Sequence, residues 1–358
     1  MKKIYLSLCI SMLAFAGCSP RINQENLMKN RSDFNSVVVR SWDEQMLLNL
    51  VRMRYRDNPM FLEVGNVIST QSSKTSGGIN TSVDFNGDGG AGIGVNGERS
   101  ITPTITYVPL QGEEFAKRLL TPVTPSTIFL LSQSGWSLER LMLCCVQQAN
   151  GVKNAVTASG PTPEFAPNYE TFQKLIDAIR ILQKDRLLQI EMEKDGQSFM
   201  LYITRSGDAK SDSAAGVFKD LLGLDKSKDI FKVTAKRIAS GTDEIALTGR
   251  SLLSVMFFLS QSVEVSKQHK EQGKVTVTKY EDGRDFDWNM MLGRVMRIQT
   301  SEKEPEESSV KVRYRDAWFF IADNDLTSKT TFNLLTFLFN LQAANKSDGN
   351  TVLTYPIR

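Results

Sequence analysis

Few residues in this sequence could carry chemistry, and each admits a structural reading. The chain holds one histidine, His269, in the polar run Ser-Lys-Gln-His-Lys-Glu-Gln-Gly. A single histidine excludes His-rich zinc sites and the H-E-x-x-H arrangement. A Ser-His-Asp triad would have to rest on His269, and no G-x-S-x-G elbow accompanies it. Its setting just before Gly273 predicts an exposed helix end or loop. Gly92-Ile93-Gly94-Val95-Asn96-Gly97 matches G-x-G-x-x-G. A dinucleotide site needs a helix directly afterwards to hold the pyrophosphate, whereas strand-like residues broken by Pro103 follow, so no nucleotide is expected. Asp84, Asn86 and Asp88 alternate as in the opening of a calcium loop, with Gly87 and Gly89 for the turn. The twelfth position is Val95 where a glutamate is needed, and a glycine-rich hairpin tip uses the same residue types. Asp323 and Asp325 precede an apolar helix and read as caps, and Glu281 to Asp287 reads as a turn. No catalytic residue is assigned, and no cofactor is expected beyond a covalent lipid and this weak calcium candidate.

The amino terminus is more specific. Lys2 and Lys3 precede an apolar run from Ile4 to Phe15, too short to span about 30 Å of hydrocarbon as a helix. Small residues then lead to a cysteine. Leu13-Ala14-Phe15-Ala16-Gly17-Cys18 resembles the lipobox of bacterial lipoproteins, with Phe15 where leucine is usual. Ala14-Phe15-Ala16 also fits an ordinary secretory cleavage site, which would release a chain starting at Gly17. The lipobox resemblance implies cleavage after residue 17, palmitate-type acyl chains on Cys18 and a stable anchor, since two or more chains hold firmly. It also implies an outer-membrane rather than inner-membrane destination, because Ser19 stands where aspartate would favour retention. The expected location is the cell envelope, on the outer membrane's periplasmic side.

The precursor carries 43 basic and 40 acidic side chains, and loss of Lys2 and Lys3 leaves 41 against 40. Near-neutral charge gives no electrostatic footprint for nucleic acid. No stretch after Cys18 reaches 18 uninterrupted apolar residues. Cys144 and Cys145 are adjacent in an apolar helical run, and neighbours on a helix diverge by about 100°, which disfavours a bond between them. They read as small apolar core residues or, alternatively, as thiols for an intermolecular disulfide.

The elements that must position these residues follow from periodicity. Residues 18–40 read as the lipidated cysteine and a polar tether, and 41–358 as a globular region, with a lobe boundary suggested near 155–167 by Ser159-Gly160-Pro161-Thr162-Pro163. Ser41 and Glu44 form a capping-box pattern that predicts a helix ending at Asn58-Pro59. Met60 to Ser69 alternates as a strand. Residues 71–99, rich in Gly, Ser, Thr and Asn, predict a hairpin turning at 86–90. Helices are expected over 112–120, 125–134, from Ser137 to near Asn150, over 169–184, 250–262 and 327–341. Strands are expected over 187–193, 198–205, 231–238, 244–248, 294–299, 310–322 and 351–356. Strands and helices do not alternate regularly, so the fold expected is α+β, mostly antiparallel, with packed helices and a Gly/Ser-rich hairpin insertion. Arg54-Tyr55-Arg56-Asp57 and Arg313-Tyr314-Arg315-Asp316 repeat four residues, but their predicted secondary structures differ, and the echo reads as coincidence.

The run from Thr102 to Phe115 (Thr-Pro-Thr-Ile-Thr-Tyr-Val-Pro-Leu-Gln-Gly-Glu-Glu-Phe), Arg250 to Leu253, and Asp323 to Phe332 resemble phrases of a family of bacterial envelope proteins of unknown function. The resemblance spans most of the mature chain and implies a location and a shared fold, without an activity or site residues. The function expected is a non-enzymatic envelope scaffold or interaction subunit, with envelope proteins or further copies of itself as partners. One alternative is a self-assembling export or pore component built through the hairpin at 71–108, whose apolar positions are few for a lipid-facing surface. Another is an envelope hydrolase or ligand-binding receptor.

Overall fold

The structure, a computed structural model, describes residues 24–82, 90–193, 198–205 and 207–343. Cys18, the calcium candidates Asp84, Asn86 and Asp88, and the strand expected at 351–356 lie outside the described residues. Contacts divide the chain into residues 1–43 and 44–358. The described part of the first unit, from Gln24 onward, is helical. Helix α1 runs Gln24–Arg54, so Ser41 lies inside a helix and does not cap one. Between Pro20 and Pro59 the sequence holds neither proline nor glycine, and nothing local stops the helix there.

The second unit is α+β. Strands β1 (Leu62–Ser82) and β2 (Gly90–Pro109) pair antiparallel as a sheet of two. Three short helices follow: α2 (Glu113–Leu120), α3 (Pro125–Gln133) and α4 (Leu138–Cys145). Thr124 and Ser137 cap the last two, accepting from the amides of Thr127 and Arg140. A six-stranded mixed sheet then assembles in the order β4-β3-β8-β7-β6-β5. Its members are β3 (Val146–Ala149), β4 (Val152–Lys153), β5 (Leu188–Met192), β6 (Phe199–Ile203), β7 (Ile230–Thr234) and β8 (Glu244–Gly249). Helix α5 (Glu170–Lys184) and helix α6 (Ala209–Leu221), with α3 and α4, cover one face of this sheet. Helix α6 is absent from the sequence reading. Its residues include Ser211, Ser213, Ala214, Ala215 and Gly216, too small to show an apolar period, and the signal available was Asp208, which caps it through the Ser211 amide.

Beyond the sheet, α7 (Leu252–Ser260) is almost wholly buried, as its apolar composition predicts. Helices α8 (Lys267–Glu271) and α9 (Asn289–Leu292) lead to a sheet of β10 (Ser308–Tyr314), β11 (Ala317–Ala322) and β9 (Gln299–Ser301), and α10 (Leu326–Ala343) follows. The strand expected over 294–299 is reduced to β9. Val295, Met296 and Ile298 are buried apolar residues, and Ile298 meets Val263 only as an isolated bridge. The sequence pattern reported burial without a strand partner.

Two buried charges organise this unit. The helix predicted to reach Asn150 stops at Cys145 because Arg250 collects the carbonyls at its end. The Arg250 backbone amide donates to Cys145 (2.6 Å). Its guanidinium donates to the carbonyls of Leu143 (3.0 Å), Cys144 (3.3 Å), Val146 (2.9 Å) and Asn154, and to the Ser159 hydroxyl (3.2 Å). It also lies 4.0 Å from the Phe258 ring centroid. Arg250 is 1% exposed, and burial pulls its pKa down to about 10, so it is charged at neutral pH. The carbonyls at the carboxyl end of α4 supply the negative end of a helix dipole in place of a carboxylate. Space beside it is tight: a side chain at Gly249 would overlap the Val123 carbonyl oxygen.

The second charge is Glu244. β7 and β8 run parallel, joined by nine residues, fewer than such a crossover ordinarily needs. The Glu244 carboxylate accepts from the Ser240 amide (2.6 Å), the Thr234 hydroxyl (2.8 Å) and Lys236 (3.0 Å), pinning both ends of the connection. These donors, led by the Ser240 amide, pull its pKa down to about 2.

Two outcomes are expected. Arg250→Met removes the guanidinium from four buried carbonyls, of which Leu143 and Val146 keep only the Asn154 side-chain amide, and lowers stability by about 3–5 kcal/mol, read from the shift in urea midpoint. Arg250→Lys also fails, because one ammonium cannot reproduce the fork. For Glu244, a pKa below the usual 4.5 means that its stabilisation is complete above pH 4.5 and is lost as pH falls toward 2. Glu244→Gln is therefore less stable at neutral pH, with a flatter loss between pH 4.5 and 2 in acid titrations of unfolding.

Candidate functional site

His269 is not exposed as its sequence context predicts. It is 2% exposed, on α8, with a hydrogen bond at each ring nitrogen. Nδ1 lies 2.7 Å from the Tyr55 hydroxyl, and Nε2 lies 2.8 Å from Asp316 Oδ1. With the ring proton on Nε2, Tyr55 donates to Nδ1 and the ring donates to the Asp316 carboxylate, so every polar atom is satisfied. The polar neighbours Gln268, Lys270 and Glu271 face outward and made the segment look solvated.

Around this ring the two Arg-Tyr-Arg-Asp copies come together, so the echo is spatial as well as sequential. The first ends α1 and the second turns from β10 into β11. Both reverse the chain with the third residue in the left-handed region, Arg56 at φ 60° and Arg315 at φ 56°. At the helix end the Asp57 amide donates to Arg52 (2.9 Å) and the Arg56 amide to Met53 (3.1 Å), a Schellman closure with arginine where glycine is usual. In the hairpin, Arg315-Asp316 is the two-residue turn. The shared geometry presents tyrosine and aspartate alike from a helix end and a hairpin.

The copies clasp reciprocally. Asp57 of the first accepts from the Tyr314 hydroxyl and from Arg315 (3.0 Å) of the second. Asp316 of the second reaches Tyr55 of the first through His269. The Tyr55 and Tyr314 rings meet edge to face at 5.7 Å, and the Arg315 guanidinium lies 4.8 Å from the Tyr55 centroid. The Tyr314 hydroxyl, followed by Arg315, lowers the Asp57 pKa. Arg54 anchors the first copy inside the protein, donating to the Thr276 carbonyl (3.0 Å) and the Thr162 hydroxyl (3.3 Å).

An Asp-His-Tyr chain suggests an activated nucleophile, but the electrostatics oppose it. Burial pushes the Tyr55 phenol up to about 12, and the residue is 4% exposed. The open end is Asp316, whose side chain is 59% exposed. The reactive oxygen would thus face the core and the orienting carboxylate the solvent, the reverse of a working triad. The cluster is a clamp joining the end of α1 to β10 and β11.

The remaining candidates are dispersed. Cys144 and Cys145 are free thiols with no exposed surface, and burial raises the pKa of both, that of Cys144 to about 12. A disulfide to another molecule would require unfolding of α4. Gly92–Gly97 lies within β2, which runs on to Pro109, so strand and not helix follows the glycines directly. Asp325 accepts from the Ser328 amide (3.0 Å) and caps α10, while Asp282 closes an exposed turn through the Arg284 amide (3.0 Å). Among the described residues no group of three or more His, Cys, Asp or Glu side chains could hold a metal ion. An apolar cavity of about 70 Å3 lies between the six-stranded sheet and its helices, walled by residues including Phe129, Met142, Phe199 and Phe218. At about 24 cal/mol per Å3 such a void costs roughly 1.7 kcal/mol, and no polar group converges on it to orient a ligand.

If the clamp is a coupled network, its members lose stability non-additively. Tyr55→Phe leaves the buried His269 Nδ1 unpartnered and costs about 1–3 kcal/mol. His269→Leu costs a similar amount, and the double variant loses clearly less than the sum, measured by urea unfolding of all four proteins. Strict additivity would show that the bonds are energetically independent.

Comparison of the chain with protein-family models, with curated proteins and with solved structures finds no match.

Proposed function

We propose that this chain is a lipid-anchored assembly subunit of a bacterial cell envelope, whose β1–β2 hairpin adds its strands to those of neighbouring copies. The anchor is the acylated Cys18 implied by the lipobox, and the destination that fits Ser19 is the outer membrane's periplasmic side. The role is non-enzymatic: one subunit holds a position at the membrane and recruits others.

The observation that carries this reading is the hairpin's unfinished sheet. Twenty residue pairs run from Leu62↔Pro109 to Ser82↔Gly90, roughly 65 Å of ladder at about 3.4 Å per residue. Among the described residues neither strand pairs with a third. Alternate backbone groups on each outer edge therefore face away from the ladder, about ten residues per strand. A two-stranded ribbon is marginal in water, and long open edges template pairing with another chain. Further copies of the same hairpin supply matching edges.

The test is the native mass of the full chain extracted from its own membrane in mild detergent. A uniform multi-copy complex is expected. Replacing residues 73–99 with a two-residue Asn-Gly turn, which joins the partners Ser72 and Ser100, is expected to reduce it to the single subunit, with the thermal unfolding of the remainder unchanged. A monomeric full chain, or a complex indifferent to the replacement, overturns the proposal.

A further inference from the structure

The register of the hairpin carries a second inference, which rests on the assembly reading above. From Asn66↔Thr106 to Ser82↔Gly90 odd-numbered residues pair only with odd-numbered ones, so each parity occupies one face of the ribbon. Ile79 pairs with Ile93, Gly77 with Val95 and Thr81 with Ala91. In the sequence Val83 and Phe85 continue that odd series. The even face is different: Ser76, Gly78, Asn80 and Ser82 pair with Asn96, Gly94, Gly92 and Gly90. Apolar positions that look sparse when read along the chain are thus concentrated on one side of the ribbon.

Charge sets the length of this segment. From Thr75 to Val83 and from Gly89 to Gly97 neither arm carries a charged residue, nine residues on each side. Lys74, paired with Glu98, and Arg99 bound it toward the body, while Asp84 and Asp88 bound it in the sequence beyond. A transmembrane β-strand needs about 9–11 residues. The eight paired residues of each arm, 75–82 and 90–97, at about 3.4 Å each and tilted by about 40°, cover roughly 21 Å, near the roughly 25 Å apolar band of a membrane barrel. A bilayer tolerates no open strand edge, so a lone hairpin cannot insert, whereas a closed ring of copies can.

We infer that the outer part of the hairpin, residues 75–82 paired with 90–97, enters a bilayer as two strands of a multi-copy β-barrel, its odd-numbered face on lipid hydrocarbon and its Gly/Ser/Asn face lining a water-filled interior. The small residues of the even face leave the interior open, and the pair Lys74↔Glu98 sits at the membrane boundary.

The experiment places single spin-labelled cysteines in the full-length protein, reconstituted in phosphatidylethanolamine/phosphatidylglycerol vesicles. Native Cys144 and Cys145 have no exposed surface to compete for label. The variants are Ile79→Cys and Ile93→Cys on the odd face, and Asn80→Cys and Gly92→Cys on the even face. Relaxation by oxygen, which partitions into hydrocarbon, is compared with relaxation by a water-soluble nickel chelate. Odd positions are expected to favour oxygen and even positions the chelate, with the ratio reversing severalfold between residues 79 and 80. Equal ratios at neighbouring positions overturn the inference. The native mass of the same samples separates the two claims: a multi-copy complex without alternation refutes insertion and leaves the assembly reading standing, whereas a monomer without alternation refutes both. A monomer that alternates refutes the barrel.

Discussion

The structured body of this protein depends on one buried cation. Arg250 stands where β8 ends and α7 begins, and its guanidinium binds the carbonyl end of α4, the start of β3, Asn154 and the turn at Ser159. Any of those carbonyls buried alone would cost about 1–3 kcal/mol. A single planar fork satisfies them together, and Phe258 covers its face. The neighbouring Gly249 is small because Val123 passes directly against it. The order of the six-stranded sheet follows, since β3 is released from α4 and paired with β8 at this residue.

The clamp around His269 does comparable work elsewhere in the same unit. Its parts come from the end of α1, from α8 and from the β10–β11 turn, and each alone is a short polar motif at a chain reversal. Together they bury a histidine and a tyrosine with their polar atoms paired. The arrangement resembles catalytic machinery in its atoms and lacks it in its orientation: the phenol is neutral and enclosed, and the carboxylate is outside. Five residues beyond Asp57 the hairpin begins at Leu62, so the clamp also fixes the point from which the long ribbon departs. Asn49 and Gln45 of α1 reinforce that departure, holding the backbone of Met60 and Leu62.

The body and the ribbon therefore obey different rules. In the body the buried Arg250 is held mainly by backbone carbonyls, and the buried Glu244 by a backbone amide, a hydroxyl and Lys236. Among the described residues the edges of the ribbon pair with no third strand, an exposure that a solitary soluble domain ordinarily avoids by charge, proline or cover. In its outer part Ile79, Ile93 and Val95 fall on one series of the ladder and Ser, Asn and Gly on the other, and its only directly opposed charges are Lys74 and Glu98. Open edges of this length are the feature on which the proposed pairing with further copies rests.

What the sequence alone determined was local. The α+β class, the cap at Ser137, the buried α7 and the small apolar character of Cys144 and Cys145 follow from propensity and periodicity, which act over a few residues. Tertiary structure decided the rest. His269 looked solvated because its sequence neighbours are, yet its partners lie 214 residues before it and 47 after it. The repeated Arg-Tyr-Arg-Asp looked accidental because secondary structure was the wrong comparison; what the copies share is a left-handed arginine, a property of φ that no hydrophobic pattern reports. Arg250 reads in sequence as the first residue of the helix expected over 250–262, because its carbonyl partners lie 96 to 107 residues earlier. In each case burial is conferred by segments far along the chain, and burial is what turns a common side chain into an organising one.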